Sequence, residues 1–153
     1  MNKALTANGV VPLDETDHKI LALLKQDARL TNAAIGEQVG LTASSVFERV
    51  KKLERRGVVH GYTARINHAA LGQKLTAFVR LSAAYDEIHD RGMQAIADEP
   101  EVVDAHTVAG EDCLIVKVKV RDTDHLHDFL MRAKGHVTLL RAVTMISMAA
   151  LKE

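Results

Sequence analysis

Apolar residues in the first 57 positions recur at helical spacing, in short segments separated by turn-forming residues. The first segment follows Asp14, which suits a helix N-cap, and Asp17 completes a capping-box arrangement three positions later. We expect this helix to end near residues 27–29. The second segment has Thr31 as its N-cap and ends at Gly40, because glycine adopts a left-handed turn without steric cost. The spacing predicts two short helices here.

A third helix is predicted from its N-cap Thr42 through Arg56, where Gly57 stops it. Its apolar stripe repeats at spacings of four and three residues, as Val46, Val50 and Leu53. At about 100° per residue, the opposite face is polar and basic, and it consists of Ser44, Glu48, Lys51, Lys52 and Arg55, with Ser45 and Arg49 at its edge. A short helix, a glycine turn and a helix with a basic outer face predict a helix-turn-helix.

The second half of the chain alternates between strand and helix periodicity. Residues 58–66 favour a connector strand, and the later segments predict strands at 75–81, 102–108, 113–120 and 143–151 and helices at 85–97 and 122–134, the last ended by Gly135. The order βαββαβ is typical of a ferredoxin-like domain, in which both helices pack on one face of the sheet. The chain is therefore predicted to be α+β, with a winged-helix-like helix-turn-helix at 1–57, a connector strand and linker at 58–74, and a βαββαβ domain at 75–153.

The face of the sheet away from the helices still needs cover. Candidates for that face are Phe78, Val102, Ile115 and Met145. A sheet from a second subunit is the simplest cover, so the pattern predicts a homodimer.

Charge is distributed unevenly, although 20 Lys and Arg balance 20 Asp and Glu overall. Residues 1–68 hold ten basic and seven acidic side chains, a net charge of +3. Residues 69–153 hold ten basic and thirteen acidic side chains, a net charge of −3. This asymmetry indicates a basic binding module joined to a second, acidic domain.

Composition excludes several classes of function. Three Phe, two Tyr and no Trp are too few for a stacking platform that binds single-stranded nucleic acid. A single cysteine, Cys113, excludes a disulfide framework and a thiolate zinc site, and it favours the reducing cytoplasm. We expect no membrane span, no secretory signal and no cofactor. No metal site is expected either, because His125 and His127 would point about 200° apart on a helix.

Basic runs on helices are usually solvated surface, but three features here favour DNA binding. The first turn of the third helix is small and hydroxylated, five basic residues at 48–56 face only two acidic ones, and a short helix and turn precede it. Glu48 does not fit a basic surface. It could accept a hydrogen bond from cytosine N4 or pair with Lys52 one turn later, and the pairing is favoured.

The chain resembles the Lrp/AsnC, or feast/famine, family of transcription regulators from Leu13 to its end. In the first half the resemblance is carried by residues 13–21 (LDETDHKIL), 39–42 (VGLT), 49–54 (RVKKLE) and 57–62 (GVVHGY). In the second half it is carried by residues 108–113 (VAGEDC) and 141–146 (RAVTMI). Each motif alone is weak, whereas the combination is highly specific.

The resemblance implies a regulator that binds double-stranded DNA as a dimer and often assembles further, to a tetramer or octamer. Two third helices would enter successive major grooves about 34 Å apart. Candidate DNA contacts, from side chains and from helix ends capped by threonine, are Thr31, Thr42, Ser44, Ser45, Glu48, Arg49, Lys52, Arg55 and Arg56.

The resemblance also implies a small effector, commonly an amino acid, bound between subunits near the turn after the second strand of the C-terminal domain. Carried over by position, the candidate effector-binding residues are His106, Ala109, Gly110, Glu111, Asp112, Cys113 and Thr144. Many members have an acidic residue and then an aromatic one where this chain has Cys113 and Leu114. Glu111 or Asp112 must then receive the effector's amino group, or the choice of effector differs.

Two other classes remain open. The same architecture occurs in decarboxylases of tetrapyrrole metabolism, for which a Soret band in the purified protein would be evidence. A basic stripe of Arg49, Lys52 and Arg55 argues against that enzyme, which has no need of it. The other alternative is an interaction module that oligomerises without binding DNA.

Overall fold

A computed structural model describes residues 11–151, which form two compact units divided between Arg65 and Ile66. The first unit holds three helices, α1 (Glu15–Gln26), α2 (Asn32–Val39) and α3 (Ala43–Arg55). The second unit opens with a 3₁₀ helix (His68–Leu71) and continues as β1 (Leu75–Ala83), α4 (His89–Ala97), β2 (Val102–Thr107), β3 (Leu114–Val120), α5 (Thr123–His136) and β4 (Leu139–Ile146). The α+β fold with a βαββαβ second domain is confirmed.

Helix starts in the first unit are fixed by the side-chain caps that the sequence predicts. The Asp14 carboxylate accepts a hydrogen bond from the Asp17 amide at 2.7 Å, and the Asp17 carboxylate accepts one from the Asp14 amide at 3.3 Å. The hydroxyls of Thr31 and Thr42 each accept a backbone hydrogen bond at 3.2 Å, at the starts of α2 and α3. These bonds satisfy amides that the first turn of a helix leaves unpaired.

The turn between α2 and α3 requires glycine at two positions. Gly40 ends α2 with φ of 71°, in the left-handed region. Gly36 lies so close to the turn that a Cβ there would collide with the carbonyl oxygen of Leu41. The three helices meet around four fully buried side chains, Ile20, Ile35, Val46 and Leu53. The predicted apolar stripe of α3 is thus confirmed, and the helix ends one residue earlier than predicted, at Arg55.

The four strands form one antiparallel sheet in the order β2-β3-β1-β4. In its centre, β1 pairs with β3 from Leu75 opposite Val120 to Leu81 opposite Leu114. Alternate residues of both strands are buried against α4 and α5, where Ile96 and Phe129 are fully enclosed. The strict alternation of β1 and β3 therefore predicts their buried face correctly.

Several predicted boundaries are wrong. The last strand begins at Leu139 and ends at Ile146, because its pairing with β1 runs only from Ala83 opposite Leu139 to Ala77 opposite Ile146. Gly135 does not end α5, which continues to His136 because that glycine keeps a negative φ. Helix α4 begins at His89 rather than at 85, since the Asp86 side chain forms a turn with the Ile88 amide at 3.1 Å.

The connector at 58–66 forms no strand within residues 11–151. A strand needs a neighbour for its backbone groups, whereas the amides of Val58 and Val59 donate to the Leu53 carbonyl at 2.9 and 3.3 Å. The prediction that Val102 lies on the outer face of the sheet is also wrong. It pairs with Val118 and packs on the helix side, because a register shift separates it from Asp104.

Candidate functional site

The outer face of α3 carries exposed basic side chains. Lys52 and Arg55 are exposed, and neither has a hydrogen-bond or ion-pair partner among residues 11–151. Lys51 lies 3.8 Å from the Glu54 carboxylate, through its Nζ atom, one turn further along. The basic charge of this face is therefore presented to solvent mainly by Lys52 and Arg55.

The first turn of α3 holds a cluster of hydroxyl groups. Thr42 Oγ1 lies 3.0 Å from Ser44 Oγ and 2.9 Å from Ser45 Oγ, and all three residues are exposed. Hydroxyl groups both donate and accept, so this small polar surface can meet either phosphate oxygens or base edges.

Arg49 is held inside the first unit, unlike Lys52 and Arg55. Its Nη1 donates to the Asp14 carboxylate at 2.7 Å and to the Asp17 carboxylate at 2.6 Å. The backbone N–H of Asp17 and then Arg49 lower the pKa of Asp14, while Asp14 and then Asp17 raise the pKa of Arg49. Arg49 therefore ties α3 to the start of α1. The spacing of Asp14 and Asp17 in the sequence indicates only the helix cap, and the sequence analysis places Arg49 among the DNA contacts.

Two further candidates for DNA contact lie at the edges of the unit. Arg56 donates to the Pro12 carbonyl at 3.4 Å, and Thr31 is engaged in capping α2. Glu48 is exposed and makes no ion pair with Lys52 among the described residues, so the favoured pairing is wrong. The carboxylate of Glu48 remains available on the outer face of α3.

Phe47 is a feature of α3 that the sequence analysis did not single out. Its side chain is 45% exposed, and Lys51 Nζ lies 5.7 Å from the ring centroid. Phe47 lies about 100° around the helix from Val46 and so falls outside the apolar stripe. This position was the sign in the sequence that the ring would be exposed.

The second unit contains a cavity of about 740 Å³ between α4 and the end of the sheet. Its lining is mostly apolar and includes Met93, Ala97, Ala105, Val108, Ala109, Cys113 and Leu114, with Tyr85, His89, Asp90, Gln94 and Thr107 as the other members. The rings of Tyr85 and His89 stack at 4.0 Å. His89 is buried, and its Nε2 has no hydrogen-bond partner within the described chain.

Ala109 and Cys113 are the candidate effector-binding residues that line this cavity. The Cys113 thiol donates to the Leu81 carbonyl and accepts from the Ala83 amide, both at 3.3 Å. Gly110 lies between them in the β2–β3 turn with φ of 144°, a conformation that side chains disfavour. The turn therefore shapes one wall of the cavity with small residues.

Asp112 and Glu111 point to arginines rather than into the cavity. Asp112 is 7% exposed and accepts hydrogen bonds from Arg80 and Arg141, the latter at 3.2 Å. Arg80 and then Arg141 lower the pKa of Asp112. Glu111 accepts a further bond from Arg141 at 3.2 Å. The charge of Asp112 is thus balanced within the protein, which leaves it poorly suited to bind an amino group.

His106 and Thr144 do not line the cavity. His106 is exposed on the sheet face away from the helices, where its Nε2 lies 3.1 Å from the Asp104 carboxylate. Thr144 lies on β4, and strands β1 and β3 separate it from β2. The structure therefore brings together only part of the effector set expected from the resemblance.

A second charged cluster joins α5 to the turn before β2. Arg132 donates to Glu99 at 2.9 Å and to Glu101 at 2.6 Å, while His125 and His136 contact Glu101 and Glu99 at 2.7 and 2.9 Å.

Within residues 11–151 no group of three His, Cys, Asp or Glu side chains could hold a metal ion. In the same range, no helix has the length and apolar character needed to cross a membrane.

Family comparisons match both units. A family described as winged helix-turn-helix DNA-binding matches residues 13–60, and one described as the Lrp/AsnC ligand binding domain matches residues 76–153. The chain is similar to the HTH-type transcriptional regulator LrpA of Mycobacterium tuberculosis, with 34% identity over 88% of this chain and 89% of the relative. It is similar also to the regulator FL11 of Pyrococcus horikoshii, with 32% identity over 78% and 79% of the two chains.

Comparison with solved structures agrees with these family matches. The regulator NMB0573 of Neisseria meningitidis, solved as a complex with L-Met, has a TM-score of 0.86 and 28% identity and covers 93% of this chain and 94% of its own. An AsnC family regulator from Agrobacterium tumefaciens has a TM-score of 0.86 and 26% identity, over 92% and 94% of the two chains. With a DNA-binding unit, a ligand-binding unit and regulators as relatives, this chain belongs to the Lrp/AsnC family of DNA-binding transcription regulators modulated by small effectors.

Proposed function

We propose that this regulator binds duplex DNA through the outer face of α3 and responds to a small apolar amino acid held in the cavity beside α4. The observation that carries the DNA-binding part is that Lys52 and Arg55 are exposed on a capped helix-turn-helix and have no partner among residues 11–151. DNA binding also implies action in the compartment that contains DNA, here the cytoplasm.

The DNA contacts fall into two groups by chemistry. Lys52 and Arg55 contact phosphates, which fix the position of the helix on the duplex. The hydroxyls of Ser44 and Ser45 and the carboxylate of Glu48 lie closer to the start of α3, from which recognition helices contact base edges. Because Glu48 accepts hydrogen bonds only, it favours a cytosine, whose N4 amino group is a donor in the major groove.

The DNA-binding proposal is tested with duplexes selected from a random pool by the wild-type protein. Lys52→Ala with Arg55→Ala should weaken binding and reduce the slope of log K against log salt by about 0.9 for each phosphate that the variant no longer neutralises. Arg91→Ala with Lys134→Ala removes two exposed positive charges from the second unit and is the matched control. An equal reduction of the slope in both double variants would contradict the assignment of α3.

The proposed effector class follows from the cavity walls. Most lining side chains are apolar, and the described part of the chain contributes no lysine or arginine to the lining, although tetrapyrrole carboxylates would need such a cation. Its volume lies within the range of about 300–1,000 Å³ that is usual for small-molecule sites. Asp90 lies at the exposed rim and suits the effector's ammonium group. The similarity to NMB0573 in complex with L-Met supports an amino acid with an apolar side chain.

The effector proposal is tested by thermal unfolding in the presence of each of the twenty amino acids. A true ligand at 100 times its Kd adds about 2.7 kcal/mol to stability by mass action, so methionine or a similar apolar amino acid should raise Tm. Ala109→Trp, at an exposed cavity residue, should abolish that rise, whereas Thr144→Ala should preserve it. A rise in Tm that survives Ala109→Trp would place the effector elsewhere.

The proposed assembly is a homodimer formed through the outer face of the sheet. Phe78 and Met145 lie opposite each other there and are 37% and 46% exposed, beside the partly buried Ile115. Burying such side chains would stabilise a dimer by the hydrophobic effect. Phe78→Glu should give monomers in sedimentation, and Tyr85→Glu, an exposed aromatic at the cavity, is the control. A Phe78→Glu protein that stays dimeric would rule out this face.

A further inference from the structure

The ring of Phe47 is an apolar group on an otherwise polar and basic helix surface. Of the three phenylalanines, Phe129 is fully buried and Phe78 lies in the sheet, whereas Phe47 is 45% exposed in the second turn of α3. Exposing a phenyl ring to water is unfavourable, and the core of the first unit is complete without it. This ring is therefore accessible to a partner outside the unit.

The neighbours of Phe47 indicate which kind of partner it meets. Ser44 lies one turn before it and Lys51 one turn after it, with Lys51 Nζ 5.7 Å from the ring centroid. Exposed Glu48 follows directly in the sequence. A surface with hydroxyl, anionic and cationic groups around one ring is a poor match for an apolar protein patch, but it matches the mixed surface of a DNA groove.

The base edges of the major groove offer one apolar group, the C5-methyl of thymine. Phe47 lies in the N-terminal half of α3, the part of a recognition helix that contacts base edges. We propose that the Phe47 ring contacts a thymine methyl group and so sets a preference for thymine at one position of each half-site. This inference rests on the proposed entry of α3 into the major groove.

The test removes single methyl groups from DNA selected by the wild-type protein. Each thymine in the selected duplex is replaced in turn by deoxyuridine, which differs only by the methyl group. Wild-type affinity should fall about four-fold at one thymine per half-site, the value of one buried methyl group. Phe47→Ala should bind the selected duplex and the duplex with deoxyuridine at that position equally. Phe47→Leu, which keeps an apolar side chain, should retain part of the preference for thymine.

Two controls separate this inference from the proposed function. Lys52→Ala should weaken binding to both duplexes equally and preserve the four-fold difference, because a phosphate contact carries no base information. Failure to select any duplex would overturn the proposed function itself. A selected duplex whose thymine methyls matter equally to wild type and Phe47→Ala would overturn only the role of Phe47.

A last measurement addresses the other possible partner of the ring, a second copy of the chain. Phe47→Ala should retain the helix content and the sedimentation behaviour of the wild type. A fall in oligomeric mass in this variant would place the ring at an interface between copies and would overturn the proposed contact with thymine.

Discussion

At the scale of single residues, the carboxylates at the start of α1 have two roles. Asp14 and Asp17 cap the helix, as their spacing predicts, and they also hold Arg49 of α3. Capping depends on residues three positions apart and can be inferred from the sequence alone. The ion pair joins positions more than thirty residues apart. The sequence shows Arg49 on a helix edge, but it does not show which neighbour folds against that edge.

Arg49→Ala should therefore impair folding more than it impairs contact with phosphates. Without the guanidinium, Asp14 and the nearly buried Asp17 repel each other and lose two charge-assisted hydrogen bonds. The midpoint of urea unfolding of the first unit should fall further for Arg49→Ala than for Lys52→Ala. The salt slope of DNA binding should fall for Lys52→Ala. The reverse ranking, with intact stability and a slope reduced by about 0.9 in Arg49→Ala, would make Arg49 a phosphate contact.

At the scale of elements, the sequence predicts the central strands better than the edge strands. In β1 and β3, alternate residues are buried between the sheet and the helices, so period-two alternation is strict. In β4 most positions are exposed, and its limits are set by its pairing with β1 rather than by its own pattern. The register shift after Val102 likewise depends on pairing with β3. Pairing between strands is a tertiary property, which explains both errors.

Helix packing in the second unit depends on one close approach. A Cβ on Gly92 of α4 would collide with the carbonyl oxygen of His136 and lie 2.5 Å from Cγ1 of Val137. Gly135 is helical as well, but a Cβ there would meet open space. These two glycines therefore differ in environment although both lie in helices.

Gly92→Ala should destabilise the second unit by about 1–3 kcal/mol, the usual cost of overpacking. Gly135→Ala is the matched control and should stabilise the protein by up to about 1 kcal/mol, because alanine favours helix more than glycine does. Urea unfolding monitored by circular dichroism measures both changes. Equal effects of the two substitutions would show that α4 and α5 do not approach closely at Gly92.

At the scale of the whole molecule, charged clusters make the stability of the second unit dependent on pH. Burial alone raises the pKa values of Glu99 and Glu101, but hydrogen bonds from His136, Arg132 and His125 outweigh it and leave both below the ordinary value. Arg80 and Arg141 lower the pKa of Asp112 as well. In the folded state these carboxylates bind fewer protons at acid pH than in the unfolded state.

Stability should therefore be full above the ordinary carboxylate pKa, near 4, and should fall as pH decreases below about 5. The free energy of unfolding, measured in urea at pH 7, 5, 4 and 3, should decline over that window. Glu101→Gln removes one of these titrating groups, so its decline should be shallower and its stability at pH 7 lower. Glu87→Gln, at an exposed residue, should follow the wild type. If the stability of Glu101→Gln declined with pH in parallel with the wild type, a role of Glu101 in the pH dependence would be ruled out.

The charge asymmetry between the two halves is visible in the sequence, and it coincides with the division into two units between Arg65 and Ile66. The cavity proposed for the effector is harder to predict from the sequence, because α4 and the β2–β3 turn that line it are brought together only by folding of the sheet. The turn that the family resemblance implicates lies beside this cavity, whereas Thr144, which it also implicates, is separated from β2 by two strands.

The two apolar cores have no residue in common among the described residues. A cut between Arg65 and Ile66 therefore opens neither interior. A recombination event at this junction would therefore join the DNA-binding unit to a different ligand-binding unit, or the reverse. Neither apolar core would need compensating substitutions.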